Sequence, residues 1–160
     1  MASLRGPWSA VILLASYGGS VVGTQPGSLC EKLRAIRLPA SEYAIFGSGP
    51  LVAHGLLGEV RDIDLVARGA AWRRATELGL TQLGTEGDPV VRLEDGRIEV
   101  FGGWMGWDIG AFIDGAQRID GLPFARLEDV LAWKRAYARP SDLEHARLIE
   151  RHLRGDSTQG

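Results

Sequence analysis

The stretch of residues 42–66 constrains the fold more than any other part of this chain. Two short β-prone runs, Glu42-Tyr-Ala-Ile-Phe46 and Asp62-Ile-Asp-Leu-Val66, flank a Gly47-Ser48-Gly49 turn and Pro50, a residue suited to the first turn of a helix. The helix expected over residues 51–57 is only about two turns long. This is not a dinucleotide-binding unit. That fingerprint wants a third glycine where Val52 stands, its acidic residue comes later than Asp62, and its strand–helix–strand unit is longer.

The rest of the chain adds strands and helices in alternation. Leu29, Leu33 and Ile36 have helical spacing before Pro39, and residues 70–79 read as a helix closed by a C-cap glycine. Val90-Val-Arg-Leu93 and Arg97-Ile-Glu-Val-Phe101 form a hairpin through the Asp95-Gly96 turn. Residues 102–115 are rich in Gly and Trp and show no assignable pattern, and residues 118–124 read as one further strand interrupted at Gly121. In residues 126–138, Leu127, Val130, Leu131 and Ala138 share a helical face, and Ser141-Asp-Leu-Glu144 reads as a capping box that starts a last helix to about residue 153. The expected fold is α/β (α+β): a small mixed sheet flanked by helices and ending in a helical pair.

With 160 residues the chain has about one domain's length, and 45% hydrophobic with 24% charged residues excludes wholesale disorder. A single cysteine, Cys30, excludes an intramolecular disulfide framework and a zinc site of clustered thiols. A net charge of -2 excludes a protein that coats nucleic acid generally. Of the 18 basic residues only Lys32 and Lys134 are lysines. No formal charge lies between Arg5 and Glu31, and Ala10-Val-Ile-Leu-Leu-Ala15 is apolar. This segment reads as a signal peptide or as an N-terminal extension, and it is shorter than the ~20 residues a membrane span needs. The division expected is an extension over residues 1–27, a domain over 28–154 and a polar tail over 155–160, in a cytoplasmic protein with export as the alternative.

Strand alternation places Asp62 and Asp64 on one face, roughly 7 Å apart, with Ile63 and Leu65 on the other. Two carboxylates so placed repel each other unless a cation lies between them, and Mg²⁺ suits hard carboxylate oxygens while leaving positions for water and phosphate. The Gly47-Ser48-Gly49 turn ahead of a helix is suited to cradling phosphate. Phosphate binder and metal binder on consecutive strands are what phosphoryl or nucleotidyl transfer needs.

With these residues the chain resembles the nucleotidyltransferase superfamily of the polymerase-β-like fold, whose signature is Gly-Ser, a short helix and Asp-x-Asp on the next strand. Residues 123–144, Pro-Phe-Ala-Arg-Leu-Glu-Asp-Val-Leu-Ala-Trp-Lys-Arg-Ala-Tyr-Ala-Arg-Pro-Ser-Asp-Leu-Glu, are similar to the AbiEii-type branch, which includes toxins of toxin–antitoxin pairs. The resemblance covers about residues 43–149. It implies that Gly47, Ser48 and Gly49 hold the terminal phosphates of an NTP, that Asp62 and Asp64 ligate Mg²⁺ (or Mn²⁺), and that Lys134 contacts the triphosphate. It further implies Glu99 as a third carboxylate at the metal, Arg139 as a phosphate contact, and Asp142 as the acid after Arg-Pro. The implied activity is transfer of a nucleoside monophosphate from an NTP to an acceptor, with tRNA or another RNA end as the acceptor, a cognate antitoxin as a partner and no membrane. A small-molecule acceptor of the antibiotic type and a catalytically inactive binding module are the alternatives. His54 reads as a surface or packing residue, and Trp104 and Trp107 either stack a base or lie buried under a loop. His145 and His152 share a helix face with no third ligand for a metal.

Overall fold

A computed structural model of the chain describes residues 26–155. The apolar N-terminal segment and the residues after Gly155 therefore lie outside the described residues. Seven strands form one mixed sheet in the order β3-β4-β5-β2-β1-β7-β6. They are β1 (Tyr43–Ile45), β2 (Ile63–Ala67), β3 (Thr81–Leu83), β4 (Pro89–Leu93), β5 (Ile98–Phe101), β6 (Gln117–Ile119) and β7 (Leu122–Phe124). The central pair, β1 and β2, is antiparallel, and each pairs in parallel on its outer side, β2 with β5 and β1 with β7. The mixed α/β class expected from the alternation of elements is the class observed.

Helices cover both faces. Alternation along β1 sends Tyr43 and Ile45 into one core and Ala44, followed by Phe46, into the other. The first core is closed by α1 (Pro26–Ile36), through Leu29, Cys30 and Leu33, and by α3 (Gly69–Leu78), through Ala71 and Ala75. The second is closed by α4 (Ile109–Asp114), α5 (Leu127–Tyr137) and α6 (Pro140–Leu153). Phe46 sits at its centre, fully buried, stacked on Phe112 at 4.6 Å and edge-on to Trp104 and Trp133. Burial of each such large apolar side chain contributes about 1.5–3 kcal/mol.

Several elements differ from the sequence expectation, each for a physical reason. The short helix α2 (Gly49–Ala53) has five residues instead of two turns. Residues 102–115 contain α4, which Asp108 caps by accepting from the Ala111 N–H at 3.1 Å while Phe112 and Ile113 anchor it in the core. Residues 117–124 are a two-strand hairpin, because Asp120 (φ 51°) and Gly121 (φ 77°) make its turn. Strand β3 was not expected at all: its three residues are exposed and show no alternation. Gly79 follows α3 but is extended (φ −156°); a Cβ there would lie 2.9 Å from Val91 Cγ1, so the glycine serves close packing. The last helix starts at Pro140 with Arg139 as its N-cap, so Ser141 does not open a capping box. The chain reverses between α5 and α6 at Ala138, whose φ of 55° is left-handed, and this sharp turn sets where α6 begins.

Among the described residues no helix is long and apolar enough to cross a membrane.

Candidate functional site

The site is built where β1 ends and β2 and β5 begin. Ile63 and Leu65 enter the first core, so the alternation of β2 turns Asp64 to the opposite face, toward α5. The parallel register of β2 and β5 sets Glu99 directly beside Asp64. Asp62 lies just ahead of the strand and is exposed. Burial, followed by the charges of Asp62 and Glu99, pushes the Asp64 carboxyl up to about 7, against the pull of the Lys134 ammonium. Asp62 is raised as well, by desolvation first and by Glu99 second.

The turn after β1 presses against these acids. Gly47 has a left-handed φ of 61°, and a Cβ on it would lie 3.0 Å from Asp64 Oδ2. A Cβ on Gly49 would lie 2.5 Å from Ile45 Cγ2, so neither glycine leaves room for a side chain. Ser48 is the half-buried N-cap of α2 and, among the described residues, makes no side-chain capping hydrogen bond. The Gly-Ser-Gly turn and Asp64 are thus neighbours, although 17 residues separate Gly47 from Asp64 in the chain.

The basic residues are placed less simply than the sequence suggests. Lys134 is 2% exposed and its Nζ donates to Asp142 Oδ1 at 3.2 Å. Asp142, itself 1% exposed, also accepts from Arg139, Nε at 2.7 Å and Nη2 at 3.3 Å. Burial by itself would raise the Asp142 carboxyl, but the hydrogen bonds from Arg139 and Lys134 outweigh it and hold it below the ordinary range. Burial draws the Lys134 ammonium down, against the hydrogen bond to Asp142. Asp142 is therefore a buried bridge between two cations.

A cleft of about 300 Å³ opens in front of Asp64 and Glu99. Its far wall is aromatic, with Trp104, Trp133 and Tyr137, and Arg92 and Arg139 also line it. The β3–β4 turn contributes Glu86, which accepts a hydrogen bond from the Tyr137 hydroxyl, and Asp88, which accepts from the Met105 N–H at 2.6 Å. Sequence reasoning missed Arg92. Its Nε donates to Glu99 Oε1 at 2.6 Å from the position directly opposite on β4, a pairing of opposite charges that the hairpin register carries. Trp104 is buried and Trp107 half-buried; the His54 ring meets that of His152 at 5.6 Å, away from the cleft lining.

Among the described residues no group of three or more His, Cys, Asp or Glu side chains is arranged to hold a metal ion. Glu99 pairs with Arg92, Nε to Oε1 at 2.6 Å. Asp62 and Asp64 fit a hard divalent cation in chemistry: they are carboxylate donors, both held above their ordinary range by surroundings that disfavour negative charge. Comparison with family models, with curated proteins and with solved structures yields no match.

Proposed function

We propose that this chain is a Mg²⁺-dependent nucleotidyltransferase that moves a nucleoside monophosphate from an NTP to an acceptor and releases pyrophosphate. The observation that carries the reading is the packing of the Gly47-Ser48-Gly49 turn against Asp64, with Glu99 at its side and the buried Lys134 within electrostatic reach. The acids nearest that turn are Asp64, against which Gly47 packs, and Asp62, two residues before it. Those two residues would hold the cation. A bound divalent ion supplies charge neutralisation on the phosphates in such a reaction.

The remaining residues of the site position and balance charge. Ser48 offers a hydroxyl and the adjacent glycines allow close backbone approach. Lys134 sets one fixed positive charge within electrostatic reach of Asp64, held in place by Asp142. The sequence likeness to AbiEii-type proteins points to an RNA end, tRNA included, as acceptor and to a toxin held by an antitoxin. A net charge of -2 accords with recognition of one end of an RNA and not with binding along its length.

The test incubates the full chain with Mg²⁺ and each α-labelled NTP, with total RNA, the protein alone and aminoglycosides as separate acceptors. Label in RNA, dependent on Asp64, is the expected result. Label in aminoglycoside alone assigns a small-molecule acceptor. No label anywhere together with no NTP binding by calorimetry overturns the enzymatic reading in favour of a binding module.

A further inference from the structure

Arg139 is placed in an unusual way for a phosphate contact. The Nε and Nη2 edge of its guanidinium is committed to the buried carboxylate of Asp142, at 2.7 and 3.3 Å. Its Cζ lies over the Tyr137 ring, 4.4 Å from the centroid, and over the Trp133 ring, 5.9 Å from the centroid, and these two rings stack with 15° between their planes. Its charge is thus paired and its best hydrogen-bonding edge is occupied. Even so, 55% of the side chain is exposed, and Arg139 lines the cleft that also contains Asp64 and Glu99. What it offers the cleft is a flat, delocalised cation held on one side by the Tyr137 and Trp133 rings and on its edge by the Asp142 carboxylate. Such a cation offers a flat π ligand a surface to stack on.

We infer that the open face of the Arg139 guanidinium is a stacking platform for a flat aromatic ring, the nucleobase of the NTP. This rests on the nucleotidyltransferase reading above and gives it a base-binding surface within the cleft. The cleft is at the lower end of the size range of small-molecule sites, large enough for one base and its sugar but not for an extended polymer. The Arg139 Cζ lies over both the Tyr137 and the Trp133 rings, and the guanidinium cannot turn away from them without breaking its bonds to Asp142. Stacking on such a plane tolerates any base, because every base presents a π face.

The experiment measures binding of each NTP and of inorganic tripolyphosphate, all with Mg²⁺, by calorimetry on the full chain. The wild type and two variants, Arg139→Lys and Tyr137→Leu, are compared after thermal melting shows that each is folded. Lysine keeps the charge and a bond to Asp142 but has no plane; leucine removes the ring that backs the plane. The wild type is expected to bind an NTP more tightly than tripolyphosphate. Each variant is expected to lose about 5- to 150-fold in NTP affinity, the range for loss of one stacked base, with tripolyphosphate affinity unchanged within about twofold. Equal losses for NTP and tripolyphosphate, or no loss for either, overturn the platform and leave the nucleotidyltransferase reading standing. Binding of no NTP by the wild type overturns both.

Discussion

Replacing Asp64 by asparagine is expected to make the ligand-free protein more stable, because this carboxylate is held where its charge is unwelcome. Its folded-state value is about 7, against an ordinary value of 3.8. A raised carboxyl stabilises the fold fully below its unfolded value, and that contribution is lost as pH rises through the interval up to about 7. Each unit corresponds to 1.36 kcal/mol, so the charged form costs up to about 4 kcal/mol above neutral pH, and solvent access and relaxation reduce the realised figure to roughly 1–3 kcal/mol. Asparagine has nearly the same shape and carries no charge.

Urea unfolding of wild type and Asp64→Asn, with a chelator present, at about pH 5 and about pH 8 separates this from a general packing effect. The stabilisation of the variant should be larger at the higher pH by roughly 1–3 kcal/mol. Equal gains at both values, or a variant less stable than wild type at the higher pH, would refute the argument. The stability given up at Asp64 is the expected mark of a site shaped for a ligand and not for the empty fold.

Two other substitutions test the supports of the site. Asp142→Ala leaves Lys134 buried at 2% exposure without its carboxylate and should cost about 3–5 kcal/mol in urea unfolding at neutral pH; a loss under about 1 kcal/mol would show that the ammonium finds water or another partner. Gly47→Ala forces a Cβ into a left-handed backbone at φ 61° and to 3.0 Å from Asp64 Oδ2. Strain alone should lower stability by roughly 1–2 kcal/mol, and displacement of the Asp64 carboxylate should weaken Mg²⁺-dependent NTP binding. A variant with wild-type melting and wild-type binding would contradict the contact between turn and acid.

Much of this arrangement was legible in the sequence because it depends on local periodicity. Alternation in Asp62-Ile63-Asp64 and Arg97-Ile98-Glu99 placed apolar residues in the core and acids on the opposite face, and the Asp95-Gly96 turn announced the hairpin that carries Glu99. What could not be read depends on pairing between distant segments. Nothing local says that β2 lies parallel to β5 with Asp64 level with Glu99, because the register is set by the whole sheet. The partnership of Lys134, Arg139 and Asp142 depends on a left-handed Ala138, a conformation alanine seldom adopts and no pattern foretells. That turn precedes α6, whose first turn carries Asp142 into a buried bridge between Lys134 and Arg139. Helix α4 escaped notice because glycine and tryptophan surround it; its stability comes from the Asp108 cap and from Phe112 packed on Phe46.

The central proposal, transfer of the α-phosphoryl group with its nucleoside, is tested most directly by supplying the same NTP labelled at either the α- or the γ-phosphate to wild type and Asp64→Ala with Mg²⁺ and acceptor RNA. The account predicts acceptor labelled from the α position only, pyrophosphate released in equal amount, and neither product from the variant. Label transferred from the γ position, or transfer that persists without the Asp64 carboxylate, would contradict it.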